Sequence, residues 1–295
     1  MEKIGLIIGE TASLPKEIIE KFKMICVPFI VDWEAGKNLP GANLFQKMRN
    51  LKEIRPEKMP KTSQPTIGTY KKFFEEALSR FEKVISIIVS SRLSGAFNSA
   101  VQAKKFLPSQ DQERIEIIDS YQGSCGEGIL AIKAAQLVQE GKKNFEEIVK
   151  TLKEFISEIH LFGMLGDPKW LEAGGRLPHT LASLLRQMAK VGMRPLIGTK
   201  EGLVKIVALR MKAKDVPSAL FDQFKIEAKE KIENGKNIII GISHADNLEG
   251  AKKLKAKIEK EFKNVKIAFL SLVDPIVGVH GGPDTLLLSW AAESK

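Results

Sequence analysis

Apolar, strand-like segments alternate with amphipathic helical segments through the first half of the chain, and this alternation constrains the fold more than any other feature. The segment Val84–Val89 is apolar and β-branched, as expected of a buried strand. The segment before it, Tyr70–Phe81, repeats apolar residues at the i, i+3, i+4 and i+7 spacing of a helix face. Strands that alternate with helices build a largely parallel sheet covered by helices. The sequence therefore predicts an α/β fold.

The second half of the chain has a less regular order of elements. Asn144 and Glu147 have the spacing of a capping box, which predicts a helix from Phe145 to about residue 159. Further assignments include a strand over Ile25–Val31, a strand over Val204–Leu209 and a helix over Pro217–Asn234. We place a domain boundary after residue 159. The prediction is an N-terminal parallel-sheet α/β domain over residues 1–159 and a C-terminal mixed α/β domain over residues 160–295.

The net charge of +10 raises the question of a nucleic-acid partner. The distribution of that charge argues against one. Lysines are interleaved with glutamates over residues 225–233 and 252–261, as on solvated helix faces with i,i+4 pairs. We therefore predict that the protein does not bind nucleic acid.

The sequence also disfavours a membrane-spanning protein and a metal-binding protein. The segment Met1–Ile8 lacks a signal-peptide pattern, and the apolar stretches are too short to span a bilayer. We predict a cytoplasmic protein without a transmembrane segment, which leaves transient contact with a membrane surface open. Cys26 and Cys125 have no CxxC spacing, and the histidines show no paired-ligand pattern. Since nucleotide motifs are also missing from the sequence, we predict neither a metal nor a cofactor.

Two hydroxyl-rich turns, Thr62–Thr66 and Ser90–Gly95, lie just ahead of predicted helices. A helix N-terminus presents free N–H groups and the positive end of the macrodipole. The simpler interpretation is that Thr66 and Ser94 only cap their helices. Two such turns in one half of the chain favour an anion-binding site. Because ligands bind at the carboxyl ends of parallel strands, we expect the segments Gly9–Ser13, Ser90–Gly95 and Asp119-Ser120, which each follow a predicted strand, to meet at one edge of the sheet.

Seven short motifs follow one another nearly from end to end of the chain. They are Lys61-Thr62-Ser63-Gln64-Pro65, Ser90-Ser91-Arg92-Leu93-Ser94-Gly95 with Asn98-Ser99-Ala100, Asp119-Ser120, Gly174-Gly175-Arg176, Arg194-Pro195-Leu196, His244-Ala245-Asp246-Asn247 and His280-Gly281-Gly282-Pro283. One of them alone would be weak. All seven in this order resemble the DegV family, whose better understood members are the FakB-type fatty-acid-binding subunits of bacterial fatty acid kinase.

The resemblance implies a non-catalytic protein that holds one long-chain fatty acid in a tunnel between and within two domains. It implies that the hydroxyls of Thr62 and Ser94 hold the carboxylate, with His280 close by. A carboxylate held by neutral donors stays accessible to phosphorylation. The implied partner is therefore a separate fatty acid kinase catalytic subunit, which forms the acyl phosphate. The ligand-binding residues predicted in this way are Thr62, Ser63, Ser94, Gly95, Arg176 and His280.

Two other functions stay open at this point. Ser/Gly turns after strands also suit a small phosphorylated ligand. An acyl hydrolase could use Cys125 at a helix N-terminus, or Ser94 with His280, although the chain lacks the GxSxG motif. His280 could also be an ordinary core histidine, and Arg176 could simply bind helix-terminal carbonyls.

The chain departs from the family motifs at two places. Gly9-Glu10 stands where the family usually has Asp-Ser, which should change the local hydrogen bonds. Asp284 stands where the family usually has glycine after Pro283, which should stiffen or re-aim that turn.

Overall fold

The computed structural model describes residues 3–191, 193–211 and 215–293. The elements of the first half are β1 (Ile4–Gly9), α1 (Lys16–Lys21), β2 (Ile25–Val27), β3 (Ile30–Asp32), α2 (Leu44–Arg49), β4 (Lys61–Ser63), α3 (Ile67–Leu78), β5 (Lys83–Ile88), α4 (Ala96–Lys105), α5 (Ser109–Gln112), β6 (Ile115–Asp119), α6 (Cys125–Glu140) and α7 (Phe145–Phe155). Those of the second half are β7 (His160–Met164), α8 (Lys169–Ala173), α9 (His179–Lys190), β8 (Met193–Lys200), β9 (Leu203–Met211), α10 (Val216–Glu227), α11 (Lys229–Glu233), β10 (Ile238–His244), α12 (Leu248–Glu261), β11 (Val265–Leu272), α13 (Pro275–Gly281) and β12 (Leu286–Ala292).

The first sheet has four strands in the order β2-β1-β5-β6, and every pair in it is parallel. Its central strands are buried on both faces, which explains their continuous apolar sequences. Tyr70 and Phe74 of α3 pack with α4 in one core cluster, and α6 and α7 pack in another. The parallel α/β architecture predicted from the alternation of elements is confirmed.

The second sheet has six strands in the order β11-β10-β12-β7-β8-β9. The pair β10·β11 is parallel and the remaining pairs are antiparallel. This sheet is therefore mixed, as predicted. The helix α6 packs against both sheets and is apolar nearly all round, with Ile129, Leu130 and Ala131 fully buried. One core cluster contains residues from both sides of position 159, among them Leu152 and Leu161. The division into domains 1–159 and 160–295 therefore stays a prediction.

The predicted strand Ile25–Val31 is wrong as a single element, because the chain divides it into β2 and β3. Pro28, which lacks a backbone N–H, lies at the break. The strand β3 leaves the parallel sheet and pairs antiparallel with β4, with Val31 opposite Thr62. Thr62 consequently lies on a short strand instead of in a turn.

In the second half, one predicted strand is confirmed and one predicted helix is wrong as a single element. The predicted strand over Val204–Leu209 is one arm of a hairpin, and its partner β8, in which Arg194 lies, was not predicted from the sequence. The predicted helix Pro217–Asn234 is two helices, α10 and α11, which meet at Ala228. Neither glycine nor proline marks this break in the sequence.

Candidate functional site

A cavity of about 450 Å³ is lined by residues from both halves of the chain. This volume is in the usual range for small-molecule sites. Much of the wall is apolar and comes from strands and helices of the second half, including Leu161, Leu171, Ile197, Val204, Ile276 and Leu287. The six residues predicted to bind a ligand also lie on its wall: Thr62, Ser63, Ser94, Gly95, Arg176 and His280. The fold therefore brings together residues that are far apart in the sequence.

Thr62 on β4 and His280 on α13 form a hydrogen bond across the cavity wall, with 3.0 Å between Thr62 Oγ1 and His280 Nε2. Burial lowers the pKa of His280 to about 3, and the positive charge of Arg176 contributes to this lowering. The imidazole is therefore neutral at physiological pH. With its proton on Nε2, His280 donates to Thr62, and the Thr62 hydroxyl is then free to donate to an anion in the cavity.

The other imidazole nitrogen, Nδ1, is buried and has no hydrogen-bond partner among the described residues. Nδ1 lies close to Gly174. A Cβ atom at position 174 would collide with Nδ1, so no other residue fits there without a shift. Gly174 therefore permits the close packing of His280 against the end of α8. The ring is placed by packing on one side and by Thr62 on the other.

Ser94 has two contacts that explain its position. Its Oγ accepts a hydrogen bond of 3.2 Å from Ala96 N at the start of α4, and its side chain also lines the cavity. Ser94 therefore both accepts a hydrogen bond at the start of α4 and lines the cavity. Thr66, in contrast, caps its helix, since its Oγ1 accepts from Thr69 N at 3.0 Å, and it does not line the cavity.

Gly95 is required by a close approach of Gln64. A Cβ atom at position 95 would lie 2.5 Å from Gln64 Oε1. The Gln64 amide donates to Ser99 Oγ at 3.2 Å and so ties the segment after β4 to α4. The two hydroxyl-rich turns predicted from the sequence are therefore in contact with each other.

Ser90 and Arg92 hold the tip of the β8–β9 hairpin, a role that was not predicted from the sequence. Ser90 Oγ donates to Gly202 O at 2.8 Å, and the Arg92 guanidinium donates to Glu201 O at 2.9 Å. The hairpin supplies part of the apolar cavity wall. These contacts are made to the turn between β8 and β9, and they could not be predicted because β8 was not recognised in the sequence.

Arg176 is exposed and follows α8 at the cavity wall. Its guanidinium donates to Gly174 O, which agrees with the interpretation that it binds a helix-terminal carbonyl. Gly175 between them has a φ of +71°, a left-handed conformation that suits glycine. Arg176 therefore places a positive charge near the cavity and near His280.

A buried polar network lies behind the cavity wall. Ser13 Oγ donates to Asp274 Oδ2 at 2.6 Å and lies 3.1 Å from Ser124 Oγ. Asp274 caps the N-terminus of α13 by accepting from the backbone of Ile276 and Val277. Burial raises the pKa of Asp274 to about 6. Through this network the first turn of the chain fixes the helix that carries His280.

Glu10, in the Gly9-Glu10 pair that differs from the usual family motif, forms a hydrogen bond of its own. The Glu10 carboxylate accepts a 2.8 Å hydrogen bond from Phe29 N, at the break between β2 and β3. Thr11 lines the cavity and donates to Glu127 Oε1 at 3.2 Å. Burial raises the pKa of Glu127 well above its ordinary value. As expected from the ends of the parallel strands, Thr11 shares the cavity wall with Ser94, whereas Asp119 and Ser120 are not part of that wall.

The residues considered for hydrolase chemistry have the following surroundings. Cys125 is completely buried, and burial raises the pKa of its thiol to about 12, so a thiolate is disfavoured. His280 Nε2 contacts Thr62, and no hydrogen bond between His280 and Ser94 occurs in the described part of the chain. Among residues 3–191, 193–211 and 215–293, no group of three or more His, Cys, Asp or Glu is placed to hold a metal ion.

The helices within the described ranges include none with the length and apolar character of a membrane span.

An apolar cavity with hydroxyls on its wall, lined by residues from both halves of the chain, defines this chain as an α/β protein built around a ligand-sized site. A family model described as an uncharacterised protein of the DegV family matches residues 3–293. The chain therefore belongs to the DegV family. A DegV domain-containing protein of Caldanaerobacter subterraneus subsp. tengcongensis is 29% identical over 284 residues, which cover 96% of this chain and 97% of that protein.

Solved structures share the fold along the whole chain. The structure of DegV from Bacillus subtilis, described as a fatty acid binding protein, matches with a TM-score of 0.80 and 24% identity over 99% of this chain and 100% of that one. A protein from Eubacterium ventriosum, described as binding stearic acid, matches with a TM-score of 0.80 and 22% identity over 99% of this chain and 98% of that one.

Proposed function

We propose that this protein binds one long-chain fatty acid in the cavity, with the carboxylate at Thr62 and Ser94. The observation that carries the proposal is the Thr62–His280 hydrogen bond on the wall of a largely apolar cavity. Ser63 and Gly95 complete the proposed head-group site, with His280 close by and Arg176 near the entrance of the cavity. The descriptions of the Bacillus subtilis and Eubacterium ventriosum proteins support this ligand class.

Most of the affinity is expected from the acyl chain. Burying about 14 methylenes of a C16 chain at ~0.8 kcal/mol each gives roughly 11 kcal/mol before the costs of association are subtracted. The head group then fixes the orientation of the ligand. Hydroxyl donors, of which Thr62 is supported by the neutral imidazole of His280, can satisfy a carboxylate without a salt bridge.

The proposal includes a non-catalytic role, in which the protein presents the carboxylate to a separate kinase for acyl-phosphate formation. A buried thiol and a neutral His280 bonded to Thr62 support a carrier over an acyl hydrolase. The apolar wall supports a lipid over a small phosphorylated ligand. Domains over residues 1–159 and 160–295 and a place in the cytoplasm, where ATP is present, belong to the same proposal.

The ligand can be identified by native mass spectrometry of the purified protein, followed by extraction and analysis of the bound molecule. We expect a non-covalent long-chain fatty acid. A phosphorylated metabolite, an acyl adduct on Ser94 or Cys125, or an empty protein that also fails to bind added palmitate or oleate would contradict the proposal.

The carrier role has its own test. Protein, fatty acid, ATP and a candidate kinase from the same organism are mixed, and each component is omitted in turn. We expect ATP turnover and acyl phosphate only when all four are present. Turnover by this chain alone, esterase activity that Ser94→Ala removes, or no turnover with any kinase of that genome would contradict the carrier role.

A further inference from the structure

The chain between β3 and β4 forms a separate covering segment, residues 33–60, which we call the flap. Its two ends are joined by a 2.7 Å hydrogen bond from Trp33 Nε1 to Lys58 O. Phe45 and Met48 on α2 are each only 1% exposed and pack in a cluster with Trp170 and Val279. The flap is thus attached to the second half of the chain by apolar contacts on one side of α2.

Arg49, at the end of α2, attaches the flap at a second point. Its guanidinium donates two hydrogen bonds to the Asp284 carboxylate, one of them 2.8 Å from Nη2 to Oδ1. It also donates to Asp246 Oδ2 at 3.2 Å and to Asp246 O at 3.1 Å. A bidentate arginine–carboxylate pair is stronger and more directional than an ordinary surface pair. Arg49 therefore makes one well-defined attachment to two aspartates.

The two aspartates lie on turns that are hydrogen-bonded to each other. Ala245 N donates to Thr285 O at 2.9 Å, and Asp284 N donates to Ala245 O at 2.8 Å. Asp246 and Asp284 have φ values of +54° and +68°, in the left-handed region. Glycine would be less strained at both positions, and aspartate is among the other residues that adopt this conformation most readily. What Asp284 adds, relative to the usual family motif, is a carboxylate for Arg49.

The helix α13 lies between the flap and the cavity. A Cβ atom on Gly278 would collide with the Phe45 ring, so the flap and α13 are in close contact. The same helix lines the cavity through Val277 and Gly278 and carries His280. The chain runs directly from the flap into β4, which carries Thr62. The flap therefore adjoins both members of the Thr62–His280 pair.

From these contacts we propose that Arg49 is a latch that holds the flap against α13 and so limits how fast a ligand enters and leaves the cavity. This inference rests on the proposed binding of a fatty acid. The side chains of Arg49, Asp246 and Asp284 are 37%, 25% and 56% exposed, so dissolved ions reach the latch. Added salt screens such pairs and weakens the latch.

Stopped-flow measurement of cis-parinaric acid release, with excess unlabelled oleate as the competitor, tests the latch. Arg49→Met keeps the aliphatic stem but removes the attachment, and we expect release to be roughly three- to tenfold faster. Release from the wild-type protein should accelerate with sodium chloride, whereas release from Arg49→Met should not. Asp284→Asn, which leaves the bonds from Arg49 to Asp246, and Arg49→Lys, which keeps the charge without the fork, should both be intermediate.

Lys225→Met is the matched control, because it breaks an exposed ion pair with Glu261 that lies outside the flap. It should leave the release rate and its salt dependence unchanged. Equal release rates for wild type and Arg49→Met, or the same acceleration in Lys225→Met, would overturn the latch.

Hydrogen–deuterium exchange without any ligand separates a failure of the latch from a failure of the proposed function. We expect Arg49→Met to speed exchange in residues 33–60 and 275–281 and to leave β1 and β5 unchanged. If the wild-type protein binds no fatty acid, the proposed function is wrong. If exchange in those two segments is unaffected by Arg49→Met, the latch itself is wrong.

Discussion

Thr62 Oγ1 and His280 Nε2 lie 3.0 Å apart although 218 positions separate the two residues in the chain. The bond connects the short antiparallel pair β3–β4 to the helix α13. The two residues belong to different motifs of the sequence. Their contact places a neutral hydrogen-bonded pair on the wall of an apolar cavity.

Thr62→Val should weaken fatty-acid binding by roughly 1–3 kcal/mol, because a carboxylate loses a donor and His280 Nε2 loses its partner. Isothermal titration with oleate measures the change. Thr151→Val is the control, since the Thr151 hydroxyl donates to Glu147 O on α7 and Thr151 does not line the cavity. Equal affinity of Thr62→Val and the wild-type protein would place the head group elsewhere.

Gly95→Ala should also weaken binding, by about 1–3 kcal/mol, because its Cβ displaces the Gln64 amide from α4. Gly68→Ala provides a comparison on α3, where the nearest atom to a new Cβ is 3.7 Å away. We expect Gly68→Ala to bind normally and to be slightly more stable. The prediction fails if both glycine variants bind oleate with the wild-type affinity.

Asp274 should make stability depend on pH. Its pKa is raised by burial from 3.8 to about 6, so the folded protein holds this proton more tightly than the unfolded chain. The resulting stabilisation is complete below about pH 4 and is lost as the pH rises through about 6. Asp274→Asn lacks this titration but keeps an acceptor for the N-terminus of α13.

The difference in unfolding free energy between wild type and Asp274→Asn, measured in urea at several pH values, isolates this effect. It should change by roughly 2 kcal/mol between about pH 4 and pH 7, with the wild-type protein losing stability relative to the variant. A difference that is constant over this range would show that Asp274 has an ordinary pKa.

The two cysteines should be unreactive in the folded protein. Burial raises the pKa of both Cys26 and Cys125 to about 12, and Cys125 is fully buried. A thiol reagent at about pH 8 should label them only after unfolding. Rapid labelling of Cys125 in the native state, together with loss of fatty-acid binding, would revive the hydrolase alternative.

Much of the fold could be predicted from local pattern. The buried strands β1 and β5 are continuous apolar sequences, and α7 has its capping box, so periodicity and capping suffice to place them. The division of the strand at Pro28 and the strand β8 were harder to predict from the sequence. Whether a segment forms a strand in a mixed sheet depends on the neighbouring strands with which it pairs. The break at Ala228 has no signal in the sequence that we recognise.

The sequence by itself determined the alternating α/β order, the hydroxyl-rich turns and the family. These are properties of short segments, in which backbone preference and side-chain spacing act locally. Tertiary structure decided that Thr62 meets His280 and that Ser90 and Arg92 hold a hairpin tip. It also decided that Asp284 pairs with Arg49, 235 positions away. Such contacts depend on how sheets and helices pack against each other, and no local spacing in the chain encodes them.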